Sequence, residues 1–98
     1  MAEHPHHPGY IDNKEKVKNR LRRISGQIGG IERMVDEERY CIDILTQISA
    51  AQAAIDKVAL ALLDEHTRHC VVGAATAEAR EEKTEEMMEA VGRLLWSR

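Results

Sequence analysis

Apolar side chains at Val17, Leu21, Ile24, Ile28, Ile31 and Val35 recur at spacings of 4, 3, 4, 3 and 4, which is the rhythm of one helix face with heptad character. Asp12 followed by Glu15 makes a capping-box pattern that starts this helix at about residue 13. The polar run at residues 36–39 predicts a turn. From about Tyr40 to Val72 there is neither Pro nor Gly, and Ile44, Leu45, Ile48, Ile55, Val58, Leu62 and Leu63 keep helical spacing, so a second, long helix is expected. At 1.5 Å per residue it would span roughly 50 Å, nearly twice the ~26 Å diameter of a compact domain of this size. One short chain cannot cover such a helix, and a partner subunit is expected to help. Gly73 supplies a stop. The stretch EEKTEEMMEAVGRLLWSR then predicts a shorter third helix with Met87, Val91 and Leu94 on one face. The pattern is all-α with three helices. The first twelve residues, rich in Pro and His, read as a flexible tail ahead of a single helical domain over 13–98.

Composition narrows the class. The 98 residues contain no Phe and few aromatics, so the core is aliphatic. Two cysteines are too few for a disulfide scaffold, and the N-terminal residues have no apolar run like that of a signal peptide. No stretch approaches the ~18 apolar residues of a membrane span. A cytoplasmic protein with reduced thiols and no membrane partner is expected. An enzyme is not: the chain has no nucleophile–base pair, paired-carboxylate pattern or nucleotide motif. Gly26, Gly29 and Gly30 lie in the first helix without a phosphate-binding motif around them, and are expected to admit a close helix approach.

Charge adds an asymmetry. Residues 13–33 carry Lys14, Lys16, Lys18, Arg20, Arg22, Arg23 and Arg33 against Glu15 and Glu32, a local charge of +5 in a chain of net −3. Local cationic fields of this kind bind phosphate whatever the net charge, although a solvated helix face has the same composition.

The candidate chemistry lies on the second helix. At ~100° per residue, Cys41 and His66 fall about 20° short of seven full turns apart, and Cys41 and Cys70 about 20° past eight, so all three point to nearly the same side. His66 and Cys70, one turn apart, can share an ion, but Cys41 lies roughly 37 Å away along the axis. Two antiparallel copies related by a two-fold axis would bring Cys41 of one chain beside His66 and Cys70 of the other, giving two such sites. Two thiolates and an imidazole form a soft, three-coordinate set suited to Cu(I), whereas Zn(II) seeks a fourth ligand. The same residues also fit two small buried hydrophobes and a surface histidine. His69 lies about 80° off that face.

The segments RLRRISGQIGGIERM, YCIDILTQISA and HTRHC closely resemble the metal-sensing repressors of the CsoR/RcnR type, specifically their copper-sensitive operon branch. The resemblance implies antiparallel four-helix bundles formed across a homodimer by the two long helices, with a short third helix, and pairing of dimers into a homotetramer. It implies Cu(I) held by Cys41 of one subunit and His66 and Cys70 of another, with Tyr40 and Glu86 around the ligands. It also implies operator double-stranded DNA as partner, bound without a helix-turn-helix through Arg20 and its basic neighbours Lys14, Lys18, Arg22, Arg23 and Lys57. Some copper sensors place a further arginine where this chain has Leu60. Gln27 and Gln47 match polar residues of the family. The implied function is a copper-responsive repressor that releases DNA on binding Cu(I), derepressing genes for copper export or sequestration. A thiol- or persulfide-sensing repressor of the same fold, or a metal-buffering bundle without a DNA role, are the alternatives. His4, His6 and His7 could add a ligand.

Overall fold

The computed structural model describes Gly9–Trp96, and those residues are helical throughout, with no strand among them. A 3₁₀ turn over Ile11–Asn13 leads into α1 (Lys14–Asp36); α2 (Cys41–His66) continues as a π turn over Thr67–Val71; and α3 (Ala77–Trp96) follows. Among the described residues no helix is long and apolar enough to cross a membrane. The histidines of the N-terminal tail, His4, His6 and His7, lie outside the described residues.

The chain forms two compact units, one comprising Asp12–Leu62 and the other Leu63 onward together with the N-terminal residues through Ile11. In the first, a four-residue connection makes α1 and the greater part of α2 antiparallel neighbours. Helix α1 ends in a Schellman motif: the Arg39 N–H donates to the Met34 carbonyl and the Glu38 N–H to the Val35 carbonyl, both at 3.0 Å. The residue that must turn left-handed there is Glu38, at φ 58°, where glycine is the usual occupant. The start of α1 differs from the expected capping box. Asp12 is drawn into the 3₁₀ turn, Asn13 holds the cap position, and no side chain caps the helix.

Packing divides the α1 stripe in two. Ile24 is buried, with Val17 and Ile31 partly so, whereas Leu21, Ile28 and Val35, spaced by sevens, are about half exposed. On α2, Ala51 and Val58 are buried while Ile42, Leu45, Ile48 and Ile55 stay open. One heptad position of α1 thus serves the chain's own core, and the other remains as an apolar line on the surface. The close helix approach expected at Gly26 and Gly29 is not made within the chain: a Cβ at either would meet nothing within 4 Å.

In the second unit α3 packs against the π turn. It begins earlier than the charge pattern suggests because Thr76 caps it, its hydroxyl accepting from the Ala79 N–H at 3.0 Å and its carbonyl from the Arg80 N–H at 3.0 Å. Val71 is this unit's buried apolar side chain.

Candidate metal centre and cationic groove

The helix that carries the candidate ligands does not stay regular where it carries them. After His66 the backbone widens into a π turn, closed by the Val72 N–H donating to the Thr67 carbonyl at 2.9 Å. Such turns insert a residue into the α-helical ladder and recur at functional sites. Cys70 therefore lags the position that an uninterrupted helix would give it, so the rotation count from Cys41 holds as far as His66 and not through Cys70.

The neighbouring side chains are taken up locally. Arg68 donates from Nε to both oxygens of Asp64 at 3.1 Å, and His69 Nε2 lies 3.1 Å from Glu65 Oε1. Thr67 donates its hydroxyl to the Leu63 carbonyl at 2.8 Å and also touches the Met87 sulfur on α3 at 3.3 Å. His66 is half-buried and, among the described residues, makes no hydrogen bond or ion pair. Of the two histidines here, His69 is engaged by a carboxylate while His66 keeps its ring nitrogens available. This agrees with the choice of His66 over His69 from helix phase.

Cys41 is the first residue of α2 and is exposed; Cys70 is partly covered, and neither is in a disulfide. Cys41 belongs to the unit of Asp12–Leu62, His66 and Cys70 to the other. Among the described residues of a single chain, no three His, Cys, Asp or Glu side chains converge as a metal site. Tyr40 serves as the residue preceding α2: its carbonyl accepts from the Asp43 and Ile44 N–H groups at 3.0 and 3.2 Å, and its ring is exposed. Glu86 sits on the exposed side of α3, next to the Met87 that faces Thr67.

The basic residues separate into two sets. Arg20 and Arg23 from α1 and Lys57 from α2 line one open groove of about 920 Å³, with Gln27 beside them and a floor of Ile24, Leu60 and three alanines. No acidic residue lines it. Lys18 and Arg22, by contrast, lean on their own helix, Lys18 at 3.9 Å from Glu15 and Arg22 donating to Asn19 at 3.0 Å. Lys14 opens α1 and is exposed. Leu60, where an arginine occurs in some relatives, forms part of the groove's apolar floor.

Sequence reasoning missed Thr67, Met87 and Gly9. Thr67 and Met87 meet only because the π turn and α3 pack together, for which the helical rhythm gives no signal. Gly9 stood in a segment read as a tail; a Cβ on it would lie 2.8 Å from the Glu65 carbonyl oxygen and 3.3 Å from Cys70 Sγ.

Soft donors on one helix and an acid-free cationic groove on the same all-helical chain define a class, the metal-responsive regulators that act on a polyanion. The family described as "Metal-sensitive transcriptional repressor" matches residues 13–93. The copper-sensing transcriptional repressor RicR of Mycobacterium tuberculosis is 47% identical over 91 residues, covering 91% of this chain and 95% of that protein. The copper-sensing transcriptional repressor CsoR of Bacillus subtilis is 49% identical over 76 residues, covering 78% and 75%. The crystal structure of the copper-sensing repressor CsoR with Cu(I) from Geobacillus thermodenitrificans superimposes with a TM-score of 0.80 at 37% identity, covering 97% of this chain and 93% of that one. The chain belongs to the metal-sensitive transcriptional repressor family.

Proposed function

We propose that this protein is a cytoplasmic, Cu(I)-responsive transcriptional repressor, with no catalytic activity, that holds operator DNA when metal-free and releases it on binding copper. The observation that carries the reading is the complete Cys41, His66 and Cys70 donor set on a chain similar over most of its length to proteins named copper-sensing. Cu(I) would supply a soft, low-coordinate centre matched to two thiolates and an imidazole. His66 offers a ring nitrogen not used by any neighbour, Cys70 follows one turn on, and Cys41 enters from the α2 of a second copy. Tyr40 and Glu86 are the candidates to orient the bound imidazole and to pass occupancy on to α3. His4, His6 and His7 are candidates for an accessory ligand.

The homodimer, and its pairing into a tetramer, is supported by the unpartnered apolar line of Leu21, Ile28 and Val35 on α1 and by Ile42, Leu45, Ile48 and Ile55 on α2. Burying half-exposed Leu and Ile side chains contributes roughly 25 cal/mol per Å² removed from water, and long helices of antiparallel copies meet along such lines. A folding domain of residues 13–98 behind an N-terminal tail remains the proposed organisation. DNA is held by the cations of α1, with Lys14, Lys18 and Arg22 beside the groove set of Arg20, Arg23 and Lys57. Phosphate contacts position the protein and supply most of the affinity. By linkage, whatever factor copper takes from DNA affinity, DNA takes from copper affinity, typically ~1–3 kcal/mol.

The test is an anaerobic titration of the reduced protein with Cu(I) against a colorimetric chelator, followed by addition of Cu(I) to the protein–operator complex. One tightly bound copper per chain, lost in Cys41→Ala, with operator release in the wild type only, is the expected result. Release that persists in Cys41→Ala would refute the mechanism. His66→Ala separates copper sensing from a thiol switch, since oxidation or persulfide chemistry at the two cysteines has no use for the imidazole.

A further inference from the structure

The backbone of Gly9 sits so close to the end of α2 that a methyl group on it would press on the Glu65 carbonyl, at 2.8 Å, and touch Cys70 Sγ, at 3.3 Å. Real Cβ atoms do not approach backbone atoms that closely, and the Glu65 carbonyl is part of a helix and cannot swing aside. Only glycine lets the chain lie there. The residues through Ile11 group with Leu63 onward in one compact unit, and Tyr10 and Ile11 are partly covered, at 39% and 45% exposure. Cys70 is correspondingly half-buried, while Cys41 is open.

We infer that Gly9 is a specificity-determining residue, whose turn lies over Cys70 so that the thiol admits a bare ion or a small electrophile and rejects a bulky disulfide or electrophile. The inference rests on the role assigned to Cys70 in the proposed function, and it bears on which inducers the site accepts. A metal ion delivered by a small carrier needs only the sulfur lone pair. A disulfide such as oxidised glutathione must bring its own sulfur into line with Sγ together with the peptide attached to it, and Gly9 occupies part of that approach. Cys41, at the start of α2, carries no such cover.

The test uses the full chain with Cys41→Ser, metal-free and reduced, so that Cys70 is the sole thiol. Its alkylation rate is measured with iodoacetamide and with a polymer-linked maleimide, and the ratio is compared with that of the same chain bearing Gly9→Val, and with that of a chain lacking residues 2–9. Circular dichroism checks that each variant is folded. The expected result is a bulky-reagent rate that rises at least threefold relative to the small-reagent rate in both altered chains. An unchanged ratio in both would overturn the inference. A protein that fails to bind Cu(I) but shows the change in ratio would refute the copper reading and leave the cover intact.

Discussion

Replacing Arg20, Arg23 and Lys57 together by alanine removes every cation that lines the groove between α1 and α2 and none of the buried apolar side chains. Each phosphate contact contributes about 0.9 to the slope of log affinity against log salt on duplex DNA. Three contacts therefore contribute about 2.7 for each chain that faces the duplex. Between 50 and 200 mM salt, wild-type protein should lose about 40-fold more affinity for each engaged chain than the triple variant. Fluorescence anisotropy with a labelled operator fragment, titrated at four salt concentrations, reads the slope directly. Lys18→Ala with Arg22→Ala, whose side chains already lean on Glu15 and Asn19, is the comparison and should change the slope less. A triple variant that binds weakly at every salt concentration but keeps the wild-type slope would refute the reasoning. Its loss would then come from altered structure and not from lost phosphate contacts.

Glu38→Gly should stabilise the protein by about 0.5–1 kcal/mol, because an L-residue held left-handed costs ~1–2 kcal/mol, of which glycine's greater unfolded-state freedom returns part; a raised urea midpoint at unchanged slope is the readout. Thr76→Ala should cost about 1 kcal/mol by removing the cap of α3, seen as a lower midpoint. Ile24→Ala, at the most buried side chain of the chain, should cost about 2–5 kcal/mol through lost burial and a cavity, and chemical denaturation measures it.

The three helices were legible because each presents a 3.6-residue rhythm strong enough to read without tertiary information, and Cys41 and His66 followed from the same rhythm. Lys57 could be grouped with Arg20 and Arg23 only once α1 and α2 were seen lining one groove. Thr76 was a readable cap that the acidic run after it obscured. What escaped the sequence depends on backbone that departs from the rhythm. Glu38 adopts a conformation that residue type argues against, since the Schellman hydrogen bonds hold it there. The contact of Gly9 with Cys70 joins segments far apart in the chain. The break after His66 has no proline or glycine to announce it, so a count at a constant 100° carried straight through Cys70.

That break also sets how the chain tolerates insertions and deletions. A turn closed five residues on holds one residue more than its α-helical equivalent, so Thr67–Val71 carries a supernumerary residue. Deleting one that is not a candidate ligand, His69 for instance, would restore an unbroken helix and turn Gly73 and all of α3 by about 100° relative to His66. The helical content would hardly change, yet Met87 would no longer face Thr67. The segment works as a phase setter: its length, more than the identity of most of its residues, decides which side of α3 meets the ligand-bearing turn.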